Sequence, residues 1–101
     1  MSFYEKLNQS ASEINSIIRS RNVAGFKIGR SIDVPKRGCS HGCDAIFTVF
    51  NTSSTNFALQ AEHTLINHFY NHPKCWNQAA HSGGNLSRDY YQNVYVAVWY
   101  K

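Results

Sequence analysis

Glu62 is a carboxylate placed where a helix would otherwise be apolar. On a helical projection of residues 56–70 (NFALQAEHTLINHFY), Ala58, Leu65 and Phe69 fall at i, i+7 and i+11. Glu62, at i+4, lies in the middle of that stripe, with Leu59 and Ile66 on one side and Ala61 on the other. A charge facing a core is costly unless it is paired, hydrogen-bonded or bound to a cation. Two chemistries fit: an acid satisfied by an arginine or a buried backbone group, and a ligand for a hard divalent cation. The chain has six acidic residues in 101, so placing one of them here is selective.

Positive charge gathers elsewhere. Arg19, Arg21, Lys27, Arg30, Lys36 and Arg37 are six of the ten Lys and Arg, with Asp33 opposing them, in a chain of net charge +4. Such a cluster favours a polyanion, because phosphate contacts supply much of the affinity of nucleic-acid-binding proteins; a solvated basic surface is the alternative. Cys39-x-His41-x-Cys43, with Cys75 and His72 or His81, offers soft ligands for zinc. The one-residue gap is shorter than that of the usual cysteine knuckle, and the same cysteines suit a metal-free turn. Trp76, Asn77, His81, Arg88, Tyr90 and Tyr91 mix stacking and hydrogen-bonding groups that suit a single strand or a nucleotide. The competing use for Trp76 and a tyrosine is to plug the core beneath a long loop.

The elements that must position these groups alternate α-β-α-β-α-β in one domain, residues 1–101. Ser2-Phe3-Tyr4-Glu5 has capping-box spacing, and Tyr4, Leu7, Ala11, Ile14 and Ile18 make a stripe that predicts an amphipathic helix over 3–21. Residues 23–29 read as a strand ending at Gly29, and Asp33 as the N-cap of a short helix through Pro35, Lys36 and Arg37. Residues 45–51 read as a buried strand and 93–100 as the last strand, with a long loop over 71–92. The expected class is α/β (α+β): a small, three-stranded, mostly antiparallel sheet flanked by helices. The hydrophobic fraction of 43% argues against disorder, and no apolar run approaches a membrane span. No secretory leader is evident and the cysteine count is odd, so the expected setting is cytoplasmic.

Phe26-Lys27-Ile28-Gly29-Arg30-Ser31, followed by Asp33-Val34 and Lys36-Arg37, resembles the second motif of GIY-YIG nucleases. It is most similar to the virus- and phage-associated branch, in which that motif reads aromatic-Lys-Ile-Gly-Arg-Ser/Thr. The similarity in order and spacing covers roughly residues 23–85. It implies a metal-dependent endonuclease of a phage or mobile element, acting in the host-cell cytoplasm on DNA more than RNA. A domain this small leaves sequence specificity to a homodimer or protein partner. By the resemblance Arg37 clamps the scissile phosphate, Glu62 holds Mg²⁺ or Mn²⁺, and Asn85 after Gly83-Gly84 completes the site. Lys27 joins the catalytic set, while Arg30, Lys36 and Arg88 contact nucleic acid. The chain departs from the family in lacking Gly-Ile-Tyr on a preceding strand and a tyrosine in the second motif. A permuted sheet that sets Tyr95 on the last strand, or Tyr90 or Tyr91 before it, beside Gly29 would supply the missing tyrosine, with Tyr95 the leading candidate; otherwise the same fold binds nucleic acid or a nucleotide, or inhibits a protein, without catalysis.

Overall fold

The computed structural model describes residues 2–78 and 92–101, apart from the side chains of Cys39 and Ser40. Its elements are α1 (Phe3–Ile18), β1 (Val23–Ser31), α2 (Val34–His41), β2 (Ala45–Thr52), α3 (Thr55–Phe69) and β3 (Gln92–Tyr100). The α+β class and the three-stranded antiparallel sheet are as the sequence led one to expect. Among the described residues no helix is long and apolar enough to cross a membrane.

The sheet order is β1-β3-β2, so the C-terminal strand is central and pairs antiparallel with both neighbours. Alternation along β3 divides the molecule into two layers. Val94, Val96 and Val98 face the main core beneath α1 and α3, with Ile14, Phe26, Leu65 and Phe69. Tyr95 and Ala97 face the opposite way and pack with Val34 of α2, Ile46 and Trp99. Because β3 fills the centre, β2 is an edge strand rather than the buried one its composition suggested. It buries Val49 and Phe50, while Phe47 stays 38% exposed.

The apolar stripe of α1 also starts one residue earlier than expected. Phe3, Leu7, Ser10, Ile14 and Ile18 share a face, and Tyr4 stands outside it, 69% exposed. Phe3 stacks on Phe57 at 4.9 Å and meets Phe50 edge-on, and the buried Ser10 hydroxyl is shared between the carbonyls of Lys6 and Val49. Ser2 caps the helix by accepting from the Glu5 amide. The helix ends at Ile18, short of residue 21: the Lys74 ammonium donates to the carbonyls of Ile18 and Ser20, each at 2.9 Å, and the chain turns into β1.

Two short features set up the site. Asp33 caps α2 through its carboxylate, which accepts from the Lys36 amide, and Gly42, at φ 65°, closes the helix immediately after His41. On the outer edge of β1, the Phe26 amide donates to the Lys74 carbonyl and the Trp76 amide to the Phe26 carbonyl, a parallel bridge at Cys75. The Asn77 side chain continues it, accepting from the Ile28 amide and donating to the Ile28 carbonyl at 2.9 Å each. An edge that would otherwise offer bare amides is thereby covered.

Candidate active site

Gly29 on β1 pairs with Tyr95 on β3, and the Tyr95 ring runs across the glycine. A Cβ at residue 29 would stand 2.3 Å from the Tyr95 hydroxyl and 2.5 Å from Cζ. The strand therefore needs glycine here to let the phenol lie flat over β1. Its hydroxyl ends 2.7 Å from Nε2 of His41. His41 is the last residue of α2, one helical turn beyond Arg37, so the two project from the same face of the helix.

The electrostatics assign the proton. Burial, then the Arg37 guanidinium, then the Lys27 ammonium hold His41 below its ordinary value of 6.5, so it is neutral at pH 7. Burial pushes the Tyr95 hydroxyl up to about 12; Arg37 opposes the rise, while Glu62 and Cys43 add to it. At neutral pH the result is a protonated phenol hydrogen-bonded to an uncharged imidazole, with two cations close enough to act on the ring. Arg37 and Lys36 are exposed and line a depression of about 330 Å³ with Ser31, Ile32 and Asp33. Lys27 reaches over Trp99, its ammonium 6.0 Å from the ring centre.

Glu62 belongs to the other layer. Arg30 pairs with Val94 and shares its core-facing side, three residues from Lys27 and so on the opposite face of the strand. Arg30 Nε approaches Glu62 Oε1 at 3.3 Å, with the two side chains 7% and 9% exposed. Arg30 Nη1 also donates to Gln92 Oε1 at 2.6 Å, and the Gln92 amide donates to the Thr55 hydroxyl. The buried acid is thus satisfied by an arginine, and Arg30 turns inward to make that pair. Its charge nevertheless reaches the Tyr95 hydroxyl, as the shift of that group records. Enclosed behind β1 and paired with Arg30, the carboxylate in this arrangement does not fit a hydrated Mg²⁺ or Mn²⁺ shared with a phosphate at Arg37.

The fold brings Lys27, Arg37 and Tyr95 together on the α2 face, with Glu62 and Arg30 behind the strand. Asn85, Arg88, His81, Tyr90 and Tyr91 lie outside the described residues. Among the described residues no three His, Cys, Asp or Glu side chains converge, and the Cys39 side chain and His81, two of the zinc ligands weighed above, lie outside the described residues. Cys43 donates to the Gly38 carbonyl, and Cys75 to Asn77. The residue that sequence reasoning missed in this role is His41, weighed there as a zinc ligand; its signal is the four-residue spacing from Arg37 on one short helix.

Gly29→Ala tests the arrangement. The added methyl must displace the Tyr95 ring and part its hydroxyl from His41. We expect the His41 pKa, followed by the titration of its ring protons in NMR, to change while the fold persists; an unchanged titration means that the phenol does not hold the imidazole.

Comparison with known proteins finds no family model that matches the chain, and no curated protein or solved structure that matches it.

Proposed function

We propose that this protein is a metal-dependent endonuclease of the GIY-YIG type whose tyrosine has moved to the C-terminal strand. The observation that carries the reading is Tyr95 lying over Gly29, hydrogen-bonded to His41, with Arg37 and Lys27 beside it. The resemblance led to a tyrosine next to the motif glycine. A central strand that follows the motif, rather than preceding it, supplies one.

In this reading Arg37 presents its guanidinium to the non-bridging oxygens of the scissile phosphate, and Lys27 adds a second positive charge. The Tyr95 oxygen takes a proton from the attacking water as its own proton passes to Nε2 of His41. The water oxygen bonds to phosphorus, the bond to the leaving oxygen breaks, and that oxygen takes a proton from solvent. Incoming phosphate also offsets the two cations that depress His41, so the imidazole becomes a better base once substrate is bound. Mg²⁺ or Mn²⁺ would supply Lewis-acid stabilisation of the phosphate charge, and Glu62 could hold such an ion only by giving up Arg30.

The Arg30–Glu62 pair favours a second reading, in which Glu62 is structural and the cationic α2 face binds nucleic acid without cutting it. An assay on plasmid, single-stranded DNA and RNA with Mg²⁺ or Mn²⁺, and with EDTA as control, separates the two. We expect metal-dependent cleavage that falls by about 10²-fold or more in Arg37→Ala, where the exposed side chain leaves the fold intact. A folded wild type that binds these substrates and cuts none of them selects the binding reading.

A further inference from the structure

Trp76 is half exposed yet firmly held, and neither the hydrolysis nor the core accounts for it. Its indole lies flat on β1 at Gly25, where a Cβ would stand 1.9 Å from the ring, and it is 42% exposed. Its backbone is fixed from both sides: the Trp76 amide donates to the Phe26 carbonyl, and Asn77 next door clamps both polar groups of Ile28. Trp76 and Trp99 meet with ring centres 5.2 Å apart at an angle of 38°. Trp99 in turn meets the His41 ring edge-on at 6.2 Å and has Lys27 above it at 6.0 Å. A continuous path of side chains therefore runs from an exposed indole, through a second indole under a cation, to the imidazole beside Tyr95.

We propose that Trp76 and Trp99 form a base-stacking subsite that takes a nucleobase of an unpaired strand and leads its phosphate backbone to Lys27 and Arg37. Stacking is tolerant of sequence because every base has a π-face, and it requires a base that is out of a duplex. An indole on a rigid strand edge loses little freedom when a base docks on it. The cations lie beside the aromatic surface, as a ligand with alternating bases and phosphates needs. The proposal rests on reading the α2 face as a phosphate site, and it extends that reading to single-stranded nucleic acid as the ligand class.

The test measures binding in EDTA, where no metal-dependent cleavage occurs. The probes are an oligothymidylate of about a dozen residues, an abasic oligomer of equal length and charge, and a duplex. Tryptophan fluorescence and anisotropy give the affinities. We expect oligothymidylate to quench the fluorescence and to bind more tightly than both other probes. Trp76→Ala should weaken its binding about 5- to 150-fold, the loss of one base–aromatic stack, while Trp76→Phe restores most of it. Equal binding of the abasic oligomer, a preference for the duplex, or unchanged affinity in a folded Trp76→Ala overturns the proposal. The comparison of the three probes on wild-type protein needs no variant to fold. The two readings fail separately: base-dependent binding without cleavage in Mg²⁺ or Mn²⁺ removes the nuclease and keeps the subsite, whereas cleavage with no role for Trp76 does the reverse.

Discussion

Glu62→Ala should cost about 3–5 kcal/mol of folding stability, because it removes the carboxylate with which the buried Arg30 guanidinium is paired. The two side chains are 7% and 9% exposed, so solvent screens the pair little. Arg30 keeps Gln92 as an acceptor, but an amide oxygen does not neutralise a guanidinium. Urea denaturation monitored by circular dichroism reads the loss as a lower midpoint at similar slope. Arg30→Met combined with Glu62→Leu should recover most of it, since replacing a buried pair by apolar side chains of similar volume is often neutral or better. A loss below about 1 kcal/mol in Glu62→Ala would put the pair in the class of solvent-screened surface contacts and sink the argument.

That expectation bears directly on how activity is tested. A Glu62→Ala protein that cuts nothing is ambiguous when it is also poorly folded. Glu62→Gln keeps an oxygen for Arg30 to donate to and removes the charge, so it is the better probe of the carboxylate. Arg37 raises no such problem, being exposed on α2.

Glu62 also shows how far the sequence could be read. Its place in the buried stripe of α3 follows from the 3.6-residue period, because Ala58, Leu65 and Phe69 fix which side faces the core. Its partner does not follow, since that depends on which strand lies beneath the helix. Period-two alternation does supply one clue: Lys27 and Arg30 are an odd number of residues apart on β1, so one must face α2 and the other the core. The central position of β3 was harder to see. Residues 45–51 are as β-branched and aromatic as 93–100, and composition does not rank two such strands by depth. His41 was hidden by its company, because cysteines on either side suggested metal chemistry. What places it at Tyr95 is the helix that Asp33 opens and Gly42 closes. That a tyrosine from the end of the chain lies beside Gly29 was foreseeable from the resemblance, with Tyr90, Tyr91 and Tyr95 all open; the β1–β3 register is what puts Tyr95 there.

Tyr95→Phe should abolish most of the proposed cleavage, by about 10²- to 10⁴-fold in kcat, while leaving the fold and the binding of nucleic acid nearly intact. The ring stays over Gly29 and keeps its packing against Ala97 and Val34; the loss is the oxygen that links water to His41. The pH profile separates this relay from a merely structural tyrosine. His41 must be neutral to receive the proton, so the rate rises with pH as the imidazole loses its own. In the free protein burial, Arg37 and Lys27 hold that midpoint below 6.5, so the acidic limb of kcat/KM should be centred below 6.5. Bound phosphate offsets both cations, so the corresponding limb in kcat should lie at higher pH than the limb in kcat/KM. Tyr95 itself, at about 12, adds no limb in the working range. His41→Ala should remove the acidic limb along with most of the rate. If Tyr95→Phe cleaves at the wild-type rate, or if the limb survives in His41→Ala, the hydroxyl–imidazole pair is a packing contact and the base for water lies elsewhere.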